Sequence, residues 1–360
     1  MEIFKPGINV DFVGKRYIAF TLSGISILAT ILLLIWRGGP NYGVDFAGGV
    51  VVQVKFNKSH TASEIREALK PIDLGDSIIQ EFGEKGQFEY LIRVARKDVQ
   101  LSGLDERVRK ALIAQVGEGV EIRRVEMVGP QVGEDLTRKA LYSILGALLM
   151  MGVYVTGRFQ HMWIKSIFVT GPIVVAVLVI ATFKLSVTSV VWLIVLALLA
   201  TMVLYWFMEL KYAMGGVVSL IHDVTVVIGA FALTNREIDL TIVAALLTIV
   251  GYSINDNIVV YDRIRENLSK YRRKPFLHII NVSVNETLSR TILTGTTTLV
   301  ILIVLLFLGG PVIHDFAFAL LVGIITGTYS SIYVASPVLL LWETKSSAKN
   351  SSAKGLKTRE

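Results

Sequence analysis

One carboxylate in this chain stands where a carboxylate is expensive. From Leu240 to Tyr261 there are 22 residues, and Asp256 is the only charge among them. A run of that length crosses a bilayer, and an ionised group inside it costs on the order of 3 kcal/mol. Such a group has a partner or a task. A carboxylate holds its proton more tightly where water is excluded and releases it more readily beside a cation. One that alternates between two such surroundings can carry a proton across a membrane. The available cation is Arg290, at the mouth of the following apolar run. Asn255 adds a second polar group beside the acid, and helical spacing puts Tyr252, Val259 and Arg263 on its face. The expectation is a carboxylate–guanidinium pair that forms in one state and breaks in another. The plainer alternative is that Asp256 only hydrogen-bonds to neighbouring helices. A second acid, Asp223, follows His222 in another apolar run and reads equally as a relay member or as an interfacial group.

Other chemistries find little support. The sequence has no G-x-x-x-x-G-K-[ST] and no H-E-x-x-H, so neither nucleotide hydrolysis nor a zinc protease is indicated. With no Cys there are no disulfides and no thiolate metal sites. No cofactor, metal or catalytic residue is expected. The net charge of +7 calls for no nucleic acid, because much of it lies beside apolar runs as orientation signals do. The Gly-Thr-Thr-Thr cluster at 295–298 and Gly323-x-x-x-Gly327 read as helix-packing features.

Around these residues the chain is mostly membrane-like, with 53% hydrophobic residues and a mean hydropathy of +0.60. About eight spans can be marked off. The first is Tyr17–Trp36, longer than a signal-peptide core and therefore read as a retained anchor. Residues 41–135 are different. They hold 13 Lys/Arg and 16 Asp/Glu, too many charges for any run there to span. Strands are expected at Val50–Phe56, Ser77–Phe82, Phe88–Ala95 and Val120–Val128, and helices at Thr61–Leu69 and Gly103–Val116. Thr61 with Glu64 three residues later forms a capping signature. The order β-α-β-β-α-β predicts a small ferredoxin-like α+β domain with a binding or docking role.

Later spans are expected at Ala140–Gly157, in a hairpin turning near Lys184, at Tyr212–Asn235, from Leu240, at Thr291–Ile313 and at Phe316–Trp342. The loop 262–274 carries six Lys/Arg against two Asp/Glu and falls on the same side as both termini. The positive-inside rule puts that side in the cytoplasm and residues 41–135 outside, in the periplasm if there is an outer membrane. The expected organisation is 1–40 lead and first span, 41–135 outer domain, 136–342 membrane domain with a cytoplasmic loop at 262–290, and 343–360 tail.

Five ordered segments resemble the SecF family, membrane subunits of the bacterial Sec protein-export machinery. They are VDFAGG (44–49), VGPQVGEDL (128–136), GYSINDNIVVYDRIREN (251–267), NETLSRT (285–291) and GTYSSIYVASP (327–337). The resemblance implies an RND-superfamily fold with a six-helix core and a periplasmic ferredoxin-like domain. It implies a SecD-like partner subunit, association with the SecYEG channel in the inner membrane, and a translocating preprotein. It further implies use of the proton-motive force, with the family's intramembrane acid on Asp256 and its arginine on Arg290. Two departures stand out. Asn257 occupies a position where the family has a hydroxyl residue, and residues 159–208 insert an extra apolar hairpin that leaves later spans in the same orientation.

Three other functions compete. An intramembrane aspartyl protease would use Asp223 and Asp256, but Ser-Ile-Asn-Asp is not the Gly-x-Gly-Asp loop of such enzymes, and Arg290 would oppose a shared proton. A small-molecule exporter half would want a larger outer domain. A structural assembly subunit without its own proton pathway is the main alternative.

Overall fold

The computed structural model describes residues 10–82, 88–94, 103–183 and 185–341. Residues 1–9, Ala95, Lys184, Trp342 and the 343–360 tail, on which parts of the sequence reading fall, lie outside the described residues. Among the described residues, eight helices are long and apolar enough to cross a membrane.

Helix α1 (Arg16–Arg37) leads through the short α2 (Val44–Ala47) into a four-stranded antiparallel sheet. The strands are β1 (Gly49–Lys55), β2 (Ile78–Phe82), β3 (Glu89–Val94) and β4 (Glu121–Val128), in spatial order β2-β3-β1-β4. With α3 (Ala62–Leu69) after β1 and α4 (Leu104–Val116) after β3, this is the ferredoxin-like arrangement expected from the order of elements. Alternation sends Val50, Val52, Val54, Tyr90, Ile92 and Val94 to the face covered by the helices, which return Ile65, Leu69, Val108 and Leu112. Thr61 and Glu64 close a capping box that starts α3.

Helix α5 (Pro130–Gln160) then enters the membrane bundle. The hairpin α6 (Trp163–Ala181) and α7 (Val187–Phe207) follows, then α8 (Lys211–Thr234), α9 (Leu240–Lys270) and α10 (Phe276–Leu308). The last span, α11 (Gly310–Ser330), passes through a π-helical turn at Ser331–Ala335 into α12 (Ser336–Val338). Helices α5, α8, α9 and α11 make the bundle core, around Leu148, Leu220, Leu246, Ile249 and Ala319. The hairpin packs on the outside of α5 and α8. Tyr205 of α7, fully buried, lies over Gly152 of α5 and hydrogen-bonds to Thr170 of α6 at 3.0 Å.

The sheet domain is fastened to one end of the bundle. Asn41–Gly43 pairs with Ile238 in the α8–α9 turn through main-chain bonds of 2.7 and 2.9 Å. Arg93 of β3 pairs with Glu237 at 2.7 Å. Two glycines allow the close seating. Gly48 has φ +73°, and a Cβ on Gly133 would lie 2.7 Å from the Phe46 carbonyl oxygen. At the opposite end Arg158 of α5 pairs with Asp262 of α9 at 3.0 Å.

Candidate functional site

Helix α9 carries the candidate acid, and its neighbours fix the acid's height. The antiparallel α9–α10 pair is registered by Tyr252 to Thr298 at one end, 3.4 Å between hydroxyls. At the other end Asn267 donates to Ser283 at 3.0 Å and to Glu286 at 2.7 Å. That register sets Asp256 opposite Thr294 and Gly295, with Arg290 about one helical turn nearer the basic end. Asp256 is 3% exposed, and its Oδ2 has no hydrogen-bond partner. Among the described residues no ion pair joins it to Arg290, which the helix register leaves about one turn away. Arg290 itself is exposed at the bundle surface. The pair anticipated from the sequence is therefore present as neighbours and not as a closed contact.

Asn255 is placed differently from its two neighbours. It is exposed, on a stripe of small or polar residues with Ala244, Thr248 and Gly251. The polar neighbour that turns inward is Asn257, fully buried, which donates to Ser219 of α8 at 2.8 Å. Its Oδ1 is unpartnered. On α10, Arg290, Thr294 and Thr297 are exposed as well. Together these residues make a polar, small-residue face on membrane-spanning helices, a surface suited to close contact with another helix.

Asp223 sits in the opposite kind of surroundings. It is fully buried within the bundle. Ser253 of α9 donates to Oδ2 at 2.6 Å and Ser330 of α11 at 2.8 Å. His222 Nδ1 lies 3.0 Å from Oδ1. Three polar groups from three helices thus converge on one carboxyl, and a buried carboxyl so surrounded is satisfied. One turn nearer the basic end, the Asn257–Ser219 bond makes a second polar rung between α8 and α9. Still nearer that end, Tyr261 donates to the Ala335 carbonyl of the π-helical turn at 3.3 Å. An extra residue in a helix turn of this kind is often kept for function.

Reading the sequence had not reached Ser219, Ser253, Ser330 or the π-helical turn. Ser253 carried a signal, since it lies three residues before Asp256 and so shares much of its face. Ser330 lies in the family-like segment 327–337, but nothing local ties it to a partner 107 residues away.

Known proteins resemble this chain along nearly its whole length. The family model for the C-terminal part of protein export membrane protein SecD/SecF matches residues 108–200 and 184–345, two matches that overlap over 184–200. The SecD/SecF GG motif matches residues 34–59, which include Gly48. A protein translocase subunit SecF from Magnetococcus marinus is 40% identical, with 97% of each chain covered. One from Desulfurispirillum indicum is 38% identical over 93% of this chain and 92% of that one. Among solved structures, SecDF from Thermus thermophilus superposes with a TM-score of 0.65 at 29% identity, covering 95% of this chain. A SecDF structure in a super-membrane-facing form gives 0.58 at 28% identity, covering 98%. This chain spans only 40% and 41% of the length of those two SecDF chains.

Proposed function

Because this chain belongs to the SecF family of protein translocase subunits, we propose that it works with a SecD-like membrane subunit to drive preprotein export with the proton-motive force. The two SecDF chains are more than twice as long as the part this chain covers, and a SecD-like partner would supply a matching helical half. The exposed face of Thr248, Gly251, Asn255 and Arg290 is where we place that partner. The SecYEG channel and the preprotein in transit would meet the assembled pair. By the positive-inside rule the end with the 262–274 loop faces the cytoplasm, in the inner membrane, and the sheet domain faces the periplasm.

The observation that carries this reading is the unpartnered Oδ2 of a buried carboxylate, with a guanidinium one turn away. A carboxyl left without hydrogen bonds inside a bundle is costly, and such groups persist where they are used. In the proposed cycle Asp256 takes a proton from the periplasmic side while Arg290 is turned away. It then releases the proton toward the cytoplasm as the guanidinium approaches and the ionised pair becomes favourable. Asn257 and the Asp223 cluster hold α8, α9 and α11 together while that exchange occurs. Arg290 serves as the switching charge, and Asn255 belongs to the partner seam.

The test is Asp256→Asn in the assembled complex. In energised inverted membrane vesicles this variant should lose the part of preprotein export that depends on the proton gradient, with complex assembly unchanged. Full export from an intact Asp256→Asn complex would leave a structural assembly subunit as the correct reading.

A further inference from the structure

The polar lead before α1 is held by a fitting that the coupling mechanism does not use. Residues 10–13 cross the basic end of the bundle and turn toward α1, the Phe12 N–H reaching back to the Val10 carbonyl at 3.1 Å, against the early turns of α10. Two amide side chains one helical turn apart grip the main chain there. Asn285 Oδ1 accepts from the Val10 N–H at 2.9 Å, and its Nδ2 donates to the Val10 carbonyl at 2.9 Å. Asn281 Oδ1 accepts from the N–H groups of Phe12 and Val13 at 2.9 and 3.2 Å, while its Nδ2 donates to the Val10 carbonyl at 3.0 Å. These bonds read backbone and not side chains. The side-chain anchors are Val13, fully buried, and Phe12, edge-on to Tyr333 at 5.9 Å.

Tyr333 lies in the π-helical turn at Ser331–Ala335. Its ring stacks on Tyr329 at 5.2 Å, and Tyr329 packs on His222 at 5.9 Å. Ser330, the residue before the π-helical turn, donates to Asp223. The strap therefore rests on the π-helical turn that follows α11, next to the buried carboxyl that ties three of the core helices. A π-helical turn inside a helix is frequently found at functional sites, and an element with two discrete arrangements is what a switch requires. The strap itself has a small anchor, no sheet or helix of its own, and Val10 40% exposed. Segments of that kind are the ones that open locally.

We propose that residues 10–13 are a releasable strap that closes the basic end of the bundle between α1, α10 and α11, and that it must leave Asn281 and Asn285 in each transport cycle. Seated, it holds Tyr333 and keeps the acid-bearing core shut toward the cytoplasm. Released, it frees the lower end of α11 to turn and lets a proton leave. The inference rests on the proton-coupled reading above and adds a gate to it.

The natural absence of Cys makes the test clean. In the assembled complex with a cysteine-free partner, Val10→Cys with Asn285→Cys is oxidised to a disulfide. Gradient-dependent export should stop on oxidation and return on reduction, and equal export by both forms would overturn the proposal. A second measurement covers a double variant that is inactive even when reduced. Val13→Cys alone should react with a membrane-impermeant maleimide about tenfold faster in energised inverted vesicles than in de-energised ones, as expected for a locally opened segment. Asp256→Asn should abolish that increase. An unchanged labelling rate would sink the strap even where Asp256→Asn stops export, whereas full export by Asp256→Asn would sink the coupling reading itself.

Discussion

Two carboxyls lie buried in the same bundle, and their surroundings are opposites. Asp223 is met by two hydroxyls and an imidazole from three helices. Asp256, on the helix that supplies one of those hydroxyls, has an oxygen that meets nothing. Burial alone therefore does not assign a role. A satisfied acid fixes an arrangement, because moving it strands every group that points at it. An unsatisfied one has little to lose by changing its protonation state or its neighbours. On the function proposed above, the first serves as an anchor and the second as a moving part.

The sharpest way to break this comparison is to exchange the damage. Replacing Asp223 by Ala strands the Ser253 hydroxyl and His222, at about 1–3 kcal/mol for each stranded group, and leaves Ser330 with only the Gly327 carbonyl. Thermal unfolding in detergent should show a large loss of stability, whereas Asp256→Asn should shift the transition little. Equal losses from both would erase the distinction. A smaller effect separates the two hydroxyls. Ser330 also reaches the Gly327 carbonyl at 3.2 Å, whereas among the described residues Asp223 is the only hydrogen-bond partner of the Ser253 hydroxyl. Ser253→Ala should cost about 1 kcal/mol and Ser330→Ala less, as Ser330 shares its donor between two acceptors. The reverse order in the same unfolding measurement would show that the α11 contact dominates.

A third acid, outside the spans, gives the smallest effect and a pH signature. Asp239 caps α9 by accepting from the Ile242 N–H at 2.9 Å. Burial raises its carboxyl above the ordinary 3.8; the Ile242 hydrogen bond opposes this and the nearby Asp45 charge adds to it. The folded state then binds the proton at pH values where the unfolded chain has released it. Stability should fall as pH rises from the ordinary carboxylate value through the raised one. Asn caps a helix about as well as Asp. Asp239→Asn should therefore keep the cap and flatten this slope, and an unchanged slope would assign it to other groups.

Much of the architecture could be read without coordinates. Long apolar runs can be satisfied only as membrane helices, and alternation with turn residues marks the strands, so eight spans and the β-α-β-β-α-β domain were legible. The helix boundaries were less so. Charges suggested that the second span starts at Ala140, but α5 begins at Pro130. Arg138 pairs with Glu134 and Lys139 with Asp135, so the helix continues past the point where the lipid would.

Asp256 stood out in the sequence because a lone charge in an apolar run is visible at once, and Arg290 because it stands at the mouth of the next run. What surrounds them was decided only by folding. Asn255 and Asn257 are two residues apart and differ by about 200° around a helix, so one faces outward and the other inward. The partners of Asp223 lie 30 and 107 residues further along the chain, and those of Val10 lie 275 and 271 residues away. Hydropathy and spacing report what one segment does with solvent or lipid. Which oxygen meets which hydroxyl depends on the rotation and register of helices packed together, and no local pattern encodes that.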